Sequence, residues 1–162
     1  MRAFRAQEAS RSIDITLFLV PVDTAITLWG AEGKSYGGLT MRFAPRPRGD
    51  TVIAVPSGRT TDDLLDTPLD WADLSGTLGS ATQPSGAAVL VDPRNPGLPH
   101  AWLTRHYGVL CVGWPGVKPA TIAAGQPVRL DYRIWIHQAA GEVADLRPAH
   151  EAYTAATKVA WQ

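Results

Sequence analysis

The chain has 162 residues, the length of one ordinary domain with its own core, and its fifteen basic side chains are balanced by fifteen acidic ones. This balance leaves no net field to attract nucleic acid or an anionic membrane surface, so both are disfavoured as partners. The single cysteine, Cys111, cannot form an internal disulfide, and its apolar neighbours Leu110 and Val112 predict a buried thiol.

The N-terminal third predicts three strands and no targeting segment. No apolar run follows the basic residues of MRAFRAQEASRS, and ITLFLVPV is too short to cross a membrane, so we expect a soluble, cytoplasmic chain. Residues 13–20 alternate as a strand does, and residues 24–29 predict a second strand that joins the first as a hairpin or as a corner between sheets. A third strand places Leu39, Met41 and Phe43 on one face and Arg42 on the opposite, polar face.

The middle of the chain predicts further short strands. Residues 51–55 form an apolar strand that ends in Pro-Ser-Gly, and an aspartate-rich loop then leads to LDWADLSGTLG, where we expect Trp71 to cover an edge of the core. Residues 86–91 form another strand, which the proline-rich stretch DPRNPGLP ends.

The segment HAWLTRHYG gathers aromatic and polar side chains in one strand. Alternation puts Trp102, Thr104 and His106 on one face and Arg105 and Tyr107 on the other, so one set is expected to face solvent or a groove. Two interpretations remain open. The segment is either a half-buried strand with one hydrogen-bonded histidine, or a carbohydrate-type surface on which a tryptophan ring packs against a sugar.

The last strand is the clearest, and one helix follows it. In QPVRLDYRIWIHQ, an aliphatic face alternates with a polar face that contains Trp135 and His137, and we expect Val128, Leu130, Ile134 and Ile136 to be buried together. Such a tryptophan can belong to a ligand groove, or it can be covered by the terminal helix or a partner chain. The helix is predicted at about residues 142–159, and Pro148 is a point where it could break.

About eight short strands and one terminal helix predict an all-β fold, an antiparallel β-sandwich in a single domain of residues 1–162. No helices separate the strands, which excludes a parallel α/β sheet. The chain has no phosphate-binding glycine loop, no HExxH, no paired cysteines and no GxSxG. The four histidines fit no local metal motif, so we predict neither a metal nor a cofactor.

Several segments together resemble PmoA-like proteins, a bacterial family of unknown function sometimes called methane oxygenase. They are GKSYGGLTMRFAPR, DTPLDWADLSG, GAAVLVDPRNPGLPHAWLTRHYGVL and VRLDYRIWIHQAAGEV. The resemblance implies a β-sandwich of the galactose-mutarotase-like supersandwich kind and a link to carbohydrate metabolism. Methane oxidation would need spanning helices and metal ligands that this sequence lacks.

Two departures from the family pattern affect the expected function. Family members are about twice as long, and a histidine-rich HPHHRG-like motif in their N-terminal half has no counterpart here. Where relatives tend to carry a histidine, this chain reads Val91-Asp92-Pro93. The chain therefore resembles the C-terminal half of the family fold, and we expect it to form a homo-oligomer or to pair with a second chain that covers its sheet edges.

The predicted function is binding of a carbohydrate-like small molecule, with acid–base chemistry at a sugar carbon as an open extension. His106 is the candidate proton shuttle, because histidine titrates near neutral pH, and Asp73 or Asp92 is its candidate carboxylate partner. The alternative is a non-catalytic module for oligomerisation. The candidate substrate-binding residues are Arg42, Trp71, Asp92, Arg105, Tyr107, Trp135 and His137.

Overall fold

A computed structural model describes residues 1–6, 9–31, 33–44 and 50–159 of the chain. The last two residues of the GKSYGGLTMRFAPR segment lie outside this described part. The described residues form thirteen strands and one helix: β1 (Arg2–Ala3), β2 (Ser10–Leu19), β3 (Ile26–Leu28), β4 (Leu39–Arg42), β5 (Val52–Val55), β6 (Gly58–Thr60), β7 (Thr67–Pro68), β8 (Trp71–Gly76), β9 (Ser85–Val91), β10 (Ala101–Arg105), β11 (Val109–Gly113), β12 (Ala120–Ile122), β13 (Val128–Gln138) and α1 (Val143–Lys158).

All strand pairs are antiparallel. A seven-stranded sheet has the order β1-β2-β13-β9-β8-β5-β6, and a four-stranded sheet has the order β4-β11-β10-β7. A small third sheet pairs β3 with β12, so the turn after β2 is a corner between sheets and not a hairpin. The predicted antiparallel β-sandwich with one C-terminal helix is confirmed.

The main core lies between the two larger sheets. Alternation turns Ala72, Leu74, Val89 and Tyr132 of the large sheet toward Trp102 and its neighbours in the small one. Leu17, Leu19, Leu39, Met41 and Phe43 pack around this core, and the last three share the face that the sequence predicted.

A second cluster lies on the outer face of the seven-stranded sheet, where α1 covers it. Leu146 and Tyr153 of the helix are buried there against Trp71, Ala88 and Leu90, with Trp135 and Val143 beside them. Trp71 is therefore a central residue beneath the helix and does not cover an edge of the main core. The helix starts close to its expected position and runs through Pro148 without interruption.

The faces of β13 were predicted correctly, but the depth of burial was not. Leu130 and Tyr132 are buried in the main core, whereas Ile134 is only partly buried and Ile136 is 38% exposed. The aliphatic face of β13 therefore leaves the core toward its C-terminal end. On the other face, Trp135 is partly buried and packs against the cluster that the terminal helix covers.

The HAWLTRHYG segment is also buried more completely than predicted. Trp102 and Leu103 on opposite faces of β10 are both buried, because the main core lies on one side and a small cluster with Val109 and Cys111 lies on the other. The segment is not one continuous strand, since His106 and Tyr107 belong to the turn between β10 and β11. Cys111 is buried, as expected.

Within the described residues, no helix combines the length and the apolar character needed to cross a membrane.

Candidate functional site

The residues expected to form one groove lie in two separate groups. Asp73 on β8 and Trp135 and His137 on β13 share the outer face of the seven-stranded sheet. Arg105 ends β10 of the four-stranded sheet, and His106 lies in the turn that follows this strand. The first group does not include Arg42, Tyr107 or Asp92, and none of these three residues forms a hydrogen bond with it.

Strand alternation brings Asp73 and His137 together across β9. In the register of the sheet, Asp73 and Trp135 both lie opposite Ala88, and His137 lies opposite Gly86. A Cβ atom on Gly86 would come within 2.9 Å of His137 Cε1 and 2.5 Å of Ser75 Cβ. The missing side chain therefore gives the imidazole room to reach over β9 to the carboxylate.

The resulting pair is buried and closely hydrogen-bonded. His137 Nε2 lies 2.8 Å from Asp73 Oδ1, and its Nδ1 lies 3.1 Å from the Gln138 carbonyl oxygen, which accepts from it. Asp73 is 0% exposed and His137 is 5% exposed. Burial disfavours the charged imidazole, but the hydrogen bond and the charge of Asp73 outweigh it, so the pKa of His137 lies above its usual value.

The second oxygen of Asp73 is packed against the turn that leads into α1. Asp73 Oδ2 has no hydrogen-bond partner among the described residues. A Cβ atom on Gly141 would lie only 2.1 Å from this oxygen, and the Gly141 N–H donates to Ser75 Oγ at 2.9 Å. The absence of a side chain at Gly141 thus lets the turn close over the carboxylate.

A cavity of about 860 Å³ lies between the end of β13, the turn before α1 and the first turns of that helix. We call it the His137 cavity. Its polar lining includes Ser10, His137, Gln138, Glu142 and Asp145, and Trp135 contributes its ring. The Trp135 and His137 rings are stacked with centroids 5.0 Å apart.

The second group surrounds Asp63, which the sequence analysis did not propose as a site residue. Asp63 Oδ1 accepts from the backbone N–H of His106 at 2.7 Å and lies 2.9 Å from its Nδ1. His106 Nε2 lies 3.1 Å from the carbonyl oxygen of Thr60, so both ring nitrogens are engaged. Burial alone would raise the pKa of Asp63, but the hydrogen bonds and charges of His106 and Arg105 lower it overall.

The other predicted residues have different surroundings. Arg105 Nη1 donates to the carbonyl oxygens of Leu64 and Thr104, at 3.0 and 2.8 Å. Tyr107 is 68% exposed in the turn, and Arg42 is exposed at the end of β4. In the structure the carboxylate partner of His106 is Asp63, instead of Asp73 or Asp92, because β8, which carries Asp73, and β9, which Asp92 follows, belong to the other sheet.

No group of three or more histidine, cysteine, aspartate or glutamate side chains in the described part of the chain could hold a metal ion.

A family model for DUF6807, described as a family of unknown function, matches residues 2–150. The chain belongs to this family. The DUF6807 match includes both residues of the buried pair and the whole lining of the His137 cavity. No curated protein and no solved structure matches the chain. These comparisons give no evidence for the PmoA-like resemblance, which stays a prediction.

The residues that the sequence analysis missed act through long-range contacts. Asp63 is 43 positions from His106, and Gly86 and Gly141 matter only because other chain segments approach them closely. The aspartate-rich loop at residues 62–66 was a visible signal for Asp63. No local signal in the sequence indicates the two glycines.

Proposed function

We propose that this DUF6807 chain binds a neutral, carbohydrate-like small molecule in the His137 cavity. The observation that carries the proposal is the buried His137–Asp73 pair, which lies beside the stacked Trp135 ring at the wall of a cavity of about 860 Å³. This volume is in the range of small-molecule sites, roughly 300–1,000 Å³.

The lining matches the chemistry of a sugar. A sugar presents apolar C–H faces and many hydroxyl groups, and it is bound by an aromatic ring together with hydrogen-bond donors and acceptors. Trp135 supplies the ring, and Gln138, Glu142 and Asp145 supply polar groups.

The charges of the lining favour a neutral ligand over an anionic one. Among the described residues, neither arginine nor lysine lines the cavity, and Glu142 and Asp145 would repel a carboxylate or phosphate. Glu142 is ion-paired with Arg59, which leaves Asp145 as a carboxylate able to accept a hydrogen bond from a hydroxyl group.

The geometry supports binding more than proton transfer. Both nitrogens of His137 are already engaged, one with Asp73 and one with the Gln138 carbonyl. A proton shuttle needs a nitrogen that can reach the substrate, so His137 would first have to break one of these bonds. We therefore assign His137 and Asp73 a structural role. The pair keeps the cavity wall in position and sets the charge of that wall.

The test is a panel of neutral monosaccharides, screened by ligand-observed NMR and followed by calorimetry. Ala144→Trp places a large ring at the cavity lining and should abolish binding of any sugar found. Ala155→Trp makes the same change at an exposed position of α1 outside the cavity and should leave binding unchanged.

The same panel separates the two groups of candidate residues. His106→Ala should leave sugar binding unchanged, because His106 does not line the His137 cavity. If no sugar binds, or if Ala144→Trp binds as well as the parent, the proposal fails. Loss of binding in His106→Ala with retention in Ala144→Trp would move the site to the β10–β11 turn.

A non-catalytic module for oligomerisation is the second candidate, and the edge of β2 favours it. β1 pairs with β2 only at Ile13 and Asp14, so no described strand covers the outer edge at residues 15–19. Phe18 on this segment is 61% exposed. Open, apolar sheet edges readily pair with another chain.

Sedimentation at micromolar concentration tests this second candidate. A dimer that dissociates in Phe18→Lys, with Tyr107→Lys as the control for an exposed aromatic elsewhere, would support pairing through β2. A parent chain that sediments only as a monomer would exclude it.

A further inference from the structure

A second cavity, of about 740 Å³, lies on the outer face of the seven-stranded sheet beside the C-terminal half of α1. Four arginines line it: Arg2, Arg94, Arg129 and Arg133. We call it the arginine cavity. Asp14, Asp92 and Asp131 also line it, and each binds one of these arginines.

The three ion pairs share one geometry, in which the carboxylate binds the same side of the guanidinium. Asp14 accepts from Nε and Nη2 of Arg133 at 2.6 and 2.9 Å. Asp92 accepts from the same two nitrogens of Arg94 at 2.9 and 2.6 Å. Asp131 does so from Arg129 at 2.6 and 3.1 Å.

This geometry leaves one nitrogen of each guanidinium available. Nη1 of Arg94, Arg129 and Arg133 has no hydrogen-bond partner among the described residues. A guanidinium carries five N–H donors, and a side-on carboxylate uses only two of them. Three arginines around one cavity therefore keep donors for a further acceptor.

The arginines are also held in position before any ligand arrives. Arg133 lies between the rings of Phe4 and Tyr153, 5.0 and 4.7 Å from their centroids. The carboxylates have additional donors: the Arg94 backbone N–H binds Asp92 at 2.8 Å, and Thr16 Oγ1 donates to Asp131 at 2.6 Å. Preorganised donors lose little conformational entropy on binding.

Among the described residues that line the cavity, each aspartate is paired with an arginine, so none of the three is an unpaired anion that would repel an anionic ligand. Burial raises the pKa of the Tyr153 hydroxyl, so that phenol stays neutral and adds no negative charge to the lining. Arg94 and Arg129 are exposed, with about 60% of each side chain accessible, so a ligand can reach them from solvent.

We propose that the arginine cavity binds the anionic oxygen group of a small molecule, a carboxylate or a phosphate, through Arg94, Arg129 and Arg133. This site shares no lining residue with the His137 cavity in the described part of the chain, and it does not depend on the function proposed there.

The experiment titrates the protein with inorganic phosphate and, separately, with acetate at constant ionic strength, because salt screens exposed charges. Binding is followed by calorimetry and by the arginine Nε–H signals in NMR spectra. Phosphate or acetate should shift the signals of Arg94, Arg129 and Arg133. The ion that binds more tightly identifies the chemical source of the anionic group.

Arg129→Gln removes one charge and its donors and should weaken binding about tenfold, as expected for the loss of one charge-assisted hydrogen bond. Arg42→Gln makes the same change on the four-stranded sheet and should leave binding unchanged. If Arg129→Gln fails to fold, Arg129→Lys keeps the charge and loses the planar fork, and it should still weaken binding.

Three results would overturn the proposal: no binding of either ion at millimolar concentration, equal weakening in Arg129→Gln and Arg42→Gln, or shifts confined to arginine signals outside the cavity. Equal weakening would indicate attraction to the general surface charge.

Discussion

Two histidine–aspartate pairs in this fold have nearly the same hydrogen-bond length and very different surroundings. The His137–Asp73 pair measures 2.8 Å and is buried beneath the turn into α1. The His106–Asp63 pair measures 2.9 Å, and its side chains are 28% and 43% exposed. Water can replace a lost partner only in the second pair, so the two should differ in energy far more than in geometry.

The largest expected difference is in stability. Asp73→Ala leaves a buried imidazole without its carboxylate and should lower the free energy of unfolding by about 3–5 kcal/mol. Asp63→Ala, the matched change in the exposed pair, should lower it by about 1 kcal/mol or less. Urea denaturation of the parent and both variants measures these values.

A double-mutant cycle isolates each pair from other effects of the substitution. The coupling energy of Asp73 with His137 should clearly exceed that of Asp63 with His106. Equal coupling energies would show that burial does not distinguish the pairs.

An intermediate effect is expected at the glycine that covers the buried pair. Gly141→Ala places a methyl group against Asp73 Oδ2, with 2.1 Å between the two atoms before any relaxation. Overpacking of this kind costs about 1–3 kcal/mol, which thermal or urea denaturation would detect.

The control is the same Gly141→Ala substitution made in the Asp73→Ala variant. There the carboxylate is absent, so Gly141→Ala should cost much less than in the parent. An equal loss of stability in both backgrounds would mean that Gly141 is needed for the backbone conformation of the turn. It would not then be needed to make room for the Asp73 carboxylate.

Much of the fold could be predicted from the sequence, because alternation is a local property. The two-residue period of β13 correctly separated Leu130 and Tyr132 from Trp135 and His137. It could not show that Ile136 lies beyond the core, since depth depends on where the opposing sheet ends.

The candidate site was harder to predict, because its contacts join distant segments. Asp73 and His137 were both proposed from their residue types, yet their pairing depends on Gly86, which lies between them in the sheet. His106 drew attention because aromatic and polar residues cluster around it in sequence. The carboxylate that binds His106 is that of Asp63, and it comes from a loop whose position is known only from the folded chain.

The smallest expected effect is a dependence of stability on pH. The pKa of His137 is higher in the folded chain than the usual value of about 6.5 that an unfolded chain would show. The folded state therefore binds the proton more tightly, and this contribution to stability is complete below about pH 6.5 and is lost as the pH rises through the folded pKa.

His137→Gln should remove this contribution, so the stability difference between parent and variant should be largest near pH 6 and shrink toward alkaline pH. Comparing the two proteins cancels the opposite contributions of His100 and His150, whose pKa values burial lowers. Urea denaturation between about pH 6 and 9 measures the difference. A difference that grows as the pH rises would mean that the folded chain holds His137 neutral, and the comparison of the two pairs would then concern a hydrogen bond without a charge on the imidazole.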